Sequence, residues 1–231
     1  MAEKKLIKLV ALAASLVVPL PFGAPLASAQ AGGSKPGPLP SLDSADLAQG
    51  RHSSMSMMLK KTFLRIKVAS IDVRFDRQAQ TRFAELARGK PYSEALEQQL
   101  AQVAIGAGRA VVQMRFERDI PLDRWIGVVR DNLDQAREAG LITRELMDQV
   151  SRALPQSFAA LQKRGYEKGD RLLYAIAPDS LRTVVASAGG QVLLDRMDRD
   201  LGVRRVVMAS YFAPGSDYRE PLLRSLVEGG R

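Results

Sequence analysis

Three strand-length runs, at 171–177, 181–187 and 191–197, are joined by links of only a few residues. Links this short cannot carry a crossover, so the three strands must be antiparallel neighbours. Gly189-Gly190 sits in the second link, where both positions can take positive φ at no steric cost and make a tight hairpin. Lys168-Gly169-Asp170 is a turn leading into the first run. This meander fixes one end of an antiparallel sheet, and the remaining elements must be arranged around it.

Upstream, Thr62–Phe75 is β-branched and aromatic without helix caps, which predicts a long strand bent near Ala69-Ser70. Helices are expected over Asp76–Arg88, with Phe83 and Leu86 on the apolar face, and over Ser93–Ala107, with Ser93 as cap. Ala110–Arg118 returns to strand. Leu122, Ile126, Val129, Leu133 and Ala136 step by four, three, four and three, which is one helical stripe. Pro121 suits its first turn and Gly140 its end. Thr143 caps the next helix, which Pro155 is expected to split, leaving Phe158 and Leu161 in a short piece ending at Gly165. Val203–Phe212 and Pro221–Leu226 close the chain as helices. The order predicts an α+β fold, an open-faced sandwich in which an antiparallel β-sheet is covered on one face by a layer of α-helices.

The N-terminus follows different rules. Lys4, Lys5 and Lys8 precede an apolar run from Leu9 to Leu20, and Ala27-Ser28-Ala29 offers small residues for cleavage. That pattern reads as a signal peptide over 1–29, with an uncleaved anchor as the alternative, and the run is too short for a membrane span. The expected location is periplasmic or secreted. Residues 30–52, with Gly32-Gly33-Ser34, Pro36, Pro38 and Pro40, read as a flexible linker, leaving 53–231 as one domain. Removing 1–29 takes away three Lys and one Glu, lowering the net charge from +9 to +7. A basic exported chain can make peripheral contact with acidic envelope surfaces. Its Arg residues are scattered among acids, and no nucleic-acid partner is expected. With no Cys, the fold must hold by core packing alone.

Chemistry-bearing motifs are sparse. The one His, His52, falls at the end of the linker, where it reads as solvated, so a His-based triad or metal site is not supported. No phosphate or dinucleotide loop appears, and no cofactor is expected. Asp195, Asp198 and Asp200, interleaved with Arg196 and Arg199, read as salt-bridged strand and helix ends. Arg65, Lys67, Asp72 and Arg74 could pair across strands with Arg115 and Glu117. Arg115, Trp125, Tyr174 and Tyr211 are polar groups on otherwise apolar elements. If the sheet and helices leave an apolar slot between them, one cation and one or two phenols there would hold an acid headgroup or a phenolate.

Five segments in order resemble the chalcone isomerase-like family, including its bacterial exported members, over roughly Leu59 to Leu226. They are FLRIKVASIDVRF (63–75), MRFERDIPLDRWIGVV (114–129), KGDRLLYAI (168–176), the GGQVLLD hairpin, and ASYFAPGSDYREPLLRSL (209–226). The resemblance implies the same open-faced sandwich. It implies either intramolecular cyclisation of a phenolic enone or non-catalytic binding of a fatty acid through an Arg and a Tyr. The enzyme's Arg position carries Met57-Met58-Leu59, with Lys60 and Lys61 offset. Its Thr position falls near Val68–Ser70, and its Tyr position falls near Trp125. The enzyme's full set is absent. The expected function is therefore an exported, non-catalytic protein binding a fatty acid or similar small apolar acid through Lys60, Arg115, Trp125 and Tyr174. The alternatives are an isomerase of the chalcone type and an envelope interaction module without a pocket.

Overall fold

The computed structural model describes residues 38–61 and 66–229. The expected signal peptide lies outside the described residues. Six strands form one sheet in chain order, every neighbouring pair antiparallel: β1 Ser54–Lys61, β2 Ile66–Phe75, β3 Ala110–Phe116, β4 Arg171–Ala177, β5 Ser180–Ala186 and β6 Val192–Asp198. Helices α1 Arg77–Ala87 and α2 Glu94–Ile105 link β2 to β3. Helices α3 Leu122–Glu138 and α4 Arg144–Ser157, with a 3-10 turn at Ala159–Leu161, link β3 to β4. Helices α5 Leu201–Phe212 and α6 Arg219–Glu228 follow β6. The α+β class and the antiparallel layering are as the sequence predicts.

One face of the sheet carries the core. Ala69, Ile71, Val73 and Phe75 alternate inward on β2, and Ala110, Val112, Met114 and Phe116 do so on β3. Phe75 meets Phe83 of α1 edge-on at 5.1 Å and Phe212 of α5 at 6.4 Å, so the helices lie on this face. Side-chain caps start α1, α2, α4 and α5: Asp76 accepts from the Ala79 amide, Ser93 from Leu96, Thr143 from Leu146 and Asp200 from Gly202. Each cap satisfies an amide that the first helical turn leaves unpaired.

Several expectations are corrected. The strand placed at 62–75 begins, among the described residues, at Ile66, and β1 precedes it as an additional edge strand. In the β1–β2 pairing, Leu59 faces Ala69 but Lys60 faces Lys67, so Val68 is an extra residue in β2. Pro155 does not split α4. It removes the N–H that would bond the Ser151 carbonyl, but Arg130 of α3 donates to that carbonyl at 3.2 Å, so the helix continues to Ser157. In the β5–β6 turn only Gly190 takes positive φ.

Residues 38–52, expected as part of the linker, lie against the second face of the sheet. Arg182 of β5 donates to the Pro38 carbonyl at 2.9 Å, and Arg74 of β2 donates to Gln49 at 2.6 Å. Between these anchors, Leu47 and Ala48 are buried. Leu173, Val184 and Ala186, whose side chains point away from the helices, are also buried. The strap thus covers apolar positions that a bare second face would expose to water. His52, expected to be solvated, is half-buried with Nδ1 3.1 Å from the Leu226 carbonyl, and burial holds its pKa below the ordinary value.

Gly165 fixes the entry to β4. Its φ is +68°, and a Cβ there would come within 2.5 Å of the Ile120 carbonyl. That close approach lets Ile120 and Tyr166 exchange both backbone hydrogen bonds, at 2.8 and 2.9 Å. Tyr166 is thereby held between β3 and α3, stacked on Phe116 at 4.0 Å and beside Trp125 at 5.3 Å.

Candidate functional site

Two cavities lie between the helical layer and the sheet, and Met114, Trp125 and Tyr218 line both. The larger, about 350 Å³, is a slot at the β1–β2 end of the sheet. Leu59, Val68, Met114 and Phe116 form its floor and Ile120 and Val128 its sides. The extra residue at Val68 matters, because it keeps both Val68 and Ile66 on the cavity side while Lys67 turns away. Arg118 and Arg124 stand at the mouth, exposed and without an ion pair among the described residues. Asp119 shares the mouth, but its Oδ1 accepts from the Lys168 amide at 2.8 Å.

The smaller cavity, about 110 Å³, is a chamber beyond Trp125 with a polar floor. The register puts Tyr174 of β4 opposite Thr183 of β5, and Thr183 opposite Arg196 of β6. Directly opposed residues stand about 5 Å apart at Cβ, so phenol, hydroxyl and guanidinium form one row. Arg196 donates to Asp198 at 2.6 and 3.0 Å and also to the Ser157 hydroxyl. Its charge is therefore already answered. Tyr211 and Tyr218, 5.1 Å apart between ring centres, close the helical side, with Asn132 hydrogen-bonded to Tyr218.

These phenols are held neutral. Burial pushes the Tyr218 pKa up to about 12, and burial together with neighbouring phenols raises Tyr174, Tyr211 and Tyr166 above the ordinary tyrosine value. At neutral pH they are hydrogen-bonding groups and not bases. Nothing hydrogen-bonds the Tyr174 or Tyr211 hydroxyl among the described residues, and the buried Tyr166 hydroxyl also lacks a partner.

Of the four residues expected to bind ligand, the structure brings together two. Trp125 lines both cavities and Tyr174 lines the chamber. Arg115 does not reach either. It sits between Met114 and Phe116, which point inward, so the period of two sends it to the opposite face, exposed and across from Arg171. Lys60 is likewise exposed, next to the inward Leu59 and opposite Lys67. The cations at the cavities are instead Arg118, Arg124 and Arg196. The cross-strand ion pairs expected from Asp72 and Arg74 are also not formed: Asp72 faces Gln113 and Arg74 faces Val111. Thr183 and Arg196 were missed; a register shift between Val185 and Ala186 sets their pairing, and counting back from the Gly190 turn would put Asp195 opposite Thr183 instead.

No protein-family model matches the sequence, and no curated protein is similar to it. Among solved structures, the chain is similar to the crystal structure of a fatty-acid binding protein from Arabidopsis thaliana. The identity is 12%, the TM-score 0.49, and the match covers 75% of this chain and 88% of that one. A likeness at that level leaves the ligand to be argued from the cavities themselves.

Proposed function

We propose that this protein binds a small apolar acid, such as a fatty acid, without transforming it. The observation that carries this reading is the slot: about 350 Å³, largely apolar-walled, with Arg118 and Arg124 at its mouth and no ion pair to either among the described residues. That volume falls within the range of small-molecule pockets, roughly 300–1,000 Å³. An alkyl chain gains from leaving water, and a carboxylate at the mouth gains charge-assisted hydrogen bonds worth about 1.5–3 kcal/mol. The neutral phenols support a binding role, since abstracting a proton with them would require alkaline solution.

Trp125 is the chain's one tryptophan and lines the slot, so its emission reports occupancy. Titration with a medium-chain fatty acid should shift that emission saturably. The fatty alcohol of equal length should bind more weakly, and Arg118→Gln with Arg124→Gln should weaken the acid roughly 10–100-fold while leaving the alcohol unchanged. Equal affinity for acid and alcohol, or no acid binding, would refute the reading.

The protein is further proposed to act outside the cytoplasm, on the strength of the signal pattern in 1–29; a mature N-terminus at Gln30 is the expected result of sequencing the protein from cells. Peripheral contact with acidic envelope surfaces fits the same end of the sheet. Lys60 faces Lys67 and Arg115 faces Arg171, like charges directly opposed that repel one another until an acidic surface answers them.

A further inference from the structure

We infer that the ligand is two-ended: an apolar acid carrying a second, uncharged oxygen function at its far end, which the chamber beyond Trp125 receives. The inference rests on acid binding at the slot and goes beyond it to the ligand's class. The two cavities adjoin, with Met114, Trp125 and Tyr218 lining both, and a two-ended ligand would reach from the mouth at Arg118 and Arg124 past Trp125 into the chamber.

The two ends differ in chemistry. The mouth offers unpaired cations. The chamber offers Tyr174, Thr183 and Tyr211, all neutral, and a guanidinium already bonded to Asp198 and Ser157. A carboxylate driven into the chamber would meet the Asp198 charge and lose its water. A hydroxyl or carbonyl would not. A purely hydrocarbon end would leave the Tyr174 and Tyr211 hydroxyls, which nothing among the described residues bonds, facing methylene groups; that costs the desolvation of each. An oxygen-bearing end satisfies them.

At about 110 Å³ the chamber is well below the size of a whole ligand pocket, roughly 300 Å³ at the least, which suits it to one terminal group. An oxygen at the end of a chain can bond the Tyr174 and Tyr211 hydroxyls where a methyl cannot.

The test compares fatty acids of graded chain length with their ω-hydroxy counterparts, read by Trp125 emission. At the length that spans the slot, the ω-hydroxy acid should bind about 3–10-fold more tightly than the plain acid, the effect of one net hydrogen bond. Tyr211→Phe and Thr183→Val should each reduce that preference, Tyr211→Phe in part by tightening the plain acid, whose end then faces no unbonded hydroxyl. Tyr174→Phe serves where either variant fails to fold, as judged by near-ultraviolet circular dichroism. Binding of the plain acids with no preference at any length overturns this inference and leaves acid binding standing. A loss of plain-acid affinity in Arg196→Gln, with none in the Arg118 and Arg124 variants, overturns it too, because the carboxylate would then occupy the chamber. Failure of both series to bind overturns both proposals.

Discussion

Tyr166→Phe removes one oxygen from the centre of the protein, and the structure predicts that stability rises. The Tyr166 hydroxyl is buried with no hydrogen-bond partner. The ring is fully buried and stacked on Phe116 at 4.0 Å and 21°, with Trp125 at 5.3 Å. Phenylalanine keeps that packing. An unsatisfied buried hydroxyl costs about 1–3 kcal/mol. The void left by one oxygen returns a few tenths of a kcal/mol of that. The net expectation is a gain of about 1–2 kcal/mol, or about 2–8 °C in Tm for a domain of this size. Urea unfolding followed by Trp125 emission and by far-ultraviolet circular dichroism gives the free energy, with an unchanged m-value showing that the same surface is exposed. Burial raises the Tyr166 pKa, so its linked stability is intact below the ordinary tyrosine value near 10 and is lost as pH rises above it. The gain should therefore be flat from weakly acidic to weakly alkaline pH and widen above about pH 10. A variant less stable than wild type at neutral pH would refute the reasoning, since it would mean that the hydroxyl is bonded, by an ordered water or a neighbouring phenol.

Two further perturbations test other parts of the account. Asp72 is half-buried on the strap side of β2, and burial raises its pKa, with Arg74 pulling partly the other way; its stabilising contribution is complete below the usual carboxylate range and lost as pH rises through the raised value. Asp72→Asn mimics the protonated form, so thermal melts should show a gain at pH 7, under about 1 kcal/mol after solvent screening, that disappears towards pH 4; no gain at pH 7 would contradict this. The like-charged pairs at Lys60, Lys67, Arg115 and Arg171 predict co-sedimentation with anionic but not neutral lipid vesicles, lost at high salt; equal recovery with both vesicle types would remove the electrostatic basis.

The elements that the sequence discloses are those with a strong period or a short link. The α3 stripe from Leu122 to Ala136, the Ser93 and Thr143 caps and the meander from β4 to β6 each need only local rules, and each is found. Strand β1 was missed because SMSMMLKK is built, apart from Leu59, from serine, methionine and lysine, which have little preference for strands. Its alternation of Met55, Met57 and Leu59 becomes meaningful only when β2 lies alongside. The strap was misread for a related reason. Its composition is that of a linker, and what orders it is Arg74 and Arg182, distant in sequence, with carbonyl and amide groups to capture. Pro155 stays within α4 because Arg130, on another helix, answers the freed carbonyl.

The site shows the same division more sharply. Arg115 was legible as outward-facing, since its neighbours Met114 and Phe116 already occupy the inward positions, and a period of two leaves no alternative. Lys60 beside Leu59 follows the same parity. Where charge ends up relative to the cavities then bears on what they can hold. Arg196 reaches the chamber but is matched by Asp198, whereas Arg118 and Arg124 stand unmatched at the slot. An anion gains least where a cation is already paired and a carboxylate is near, and most where two cations face solvent beside an apolar floor. In the proposed binding mode the headgroup accordingly sits at the mouth and the chain inside. The row of Tyr174, Thr183 and Arg196 that decides the far end exists only through the pairing of three strands, which no single segment of the sequence displays.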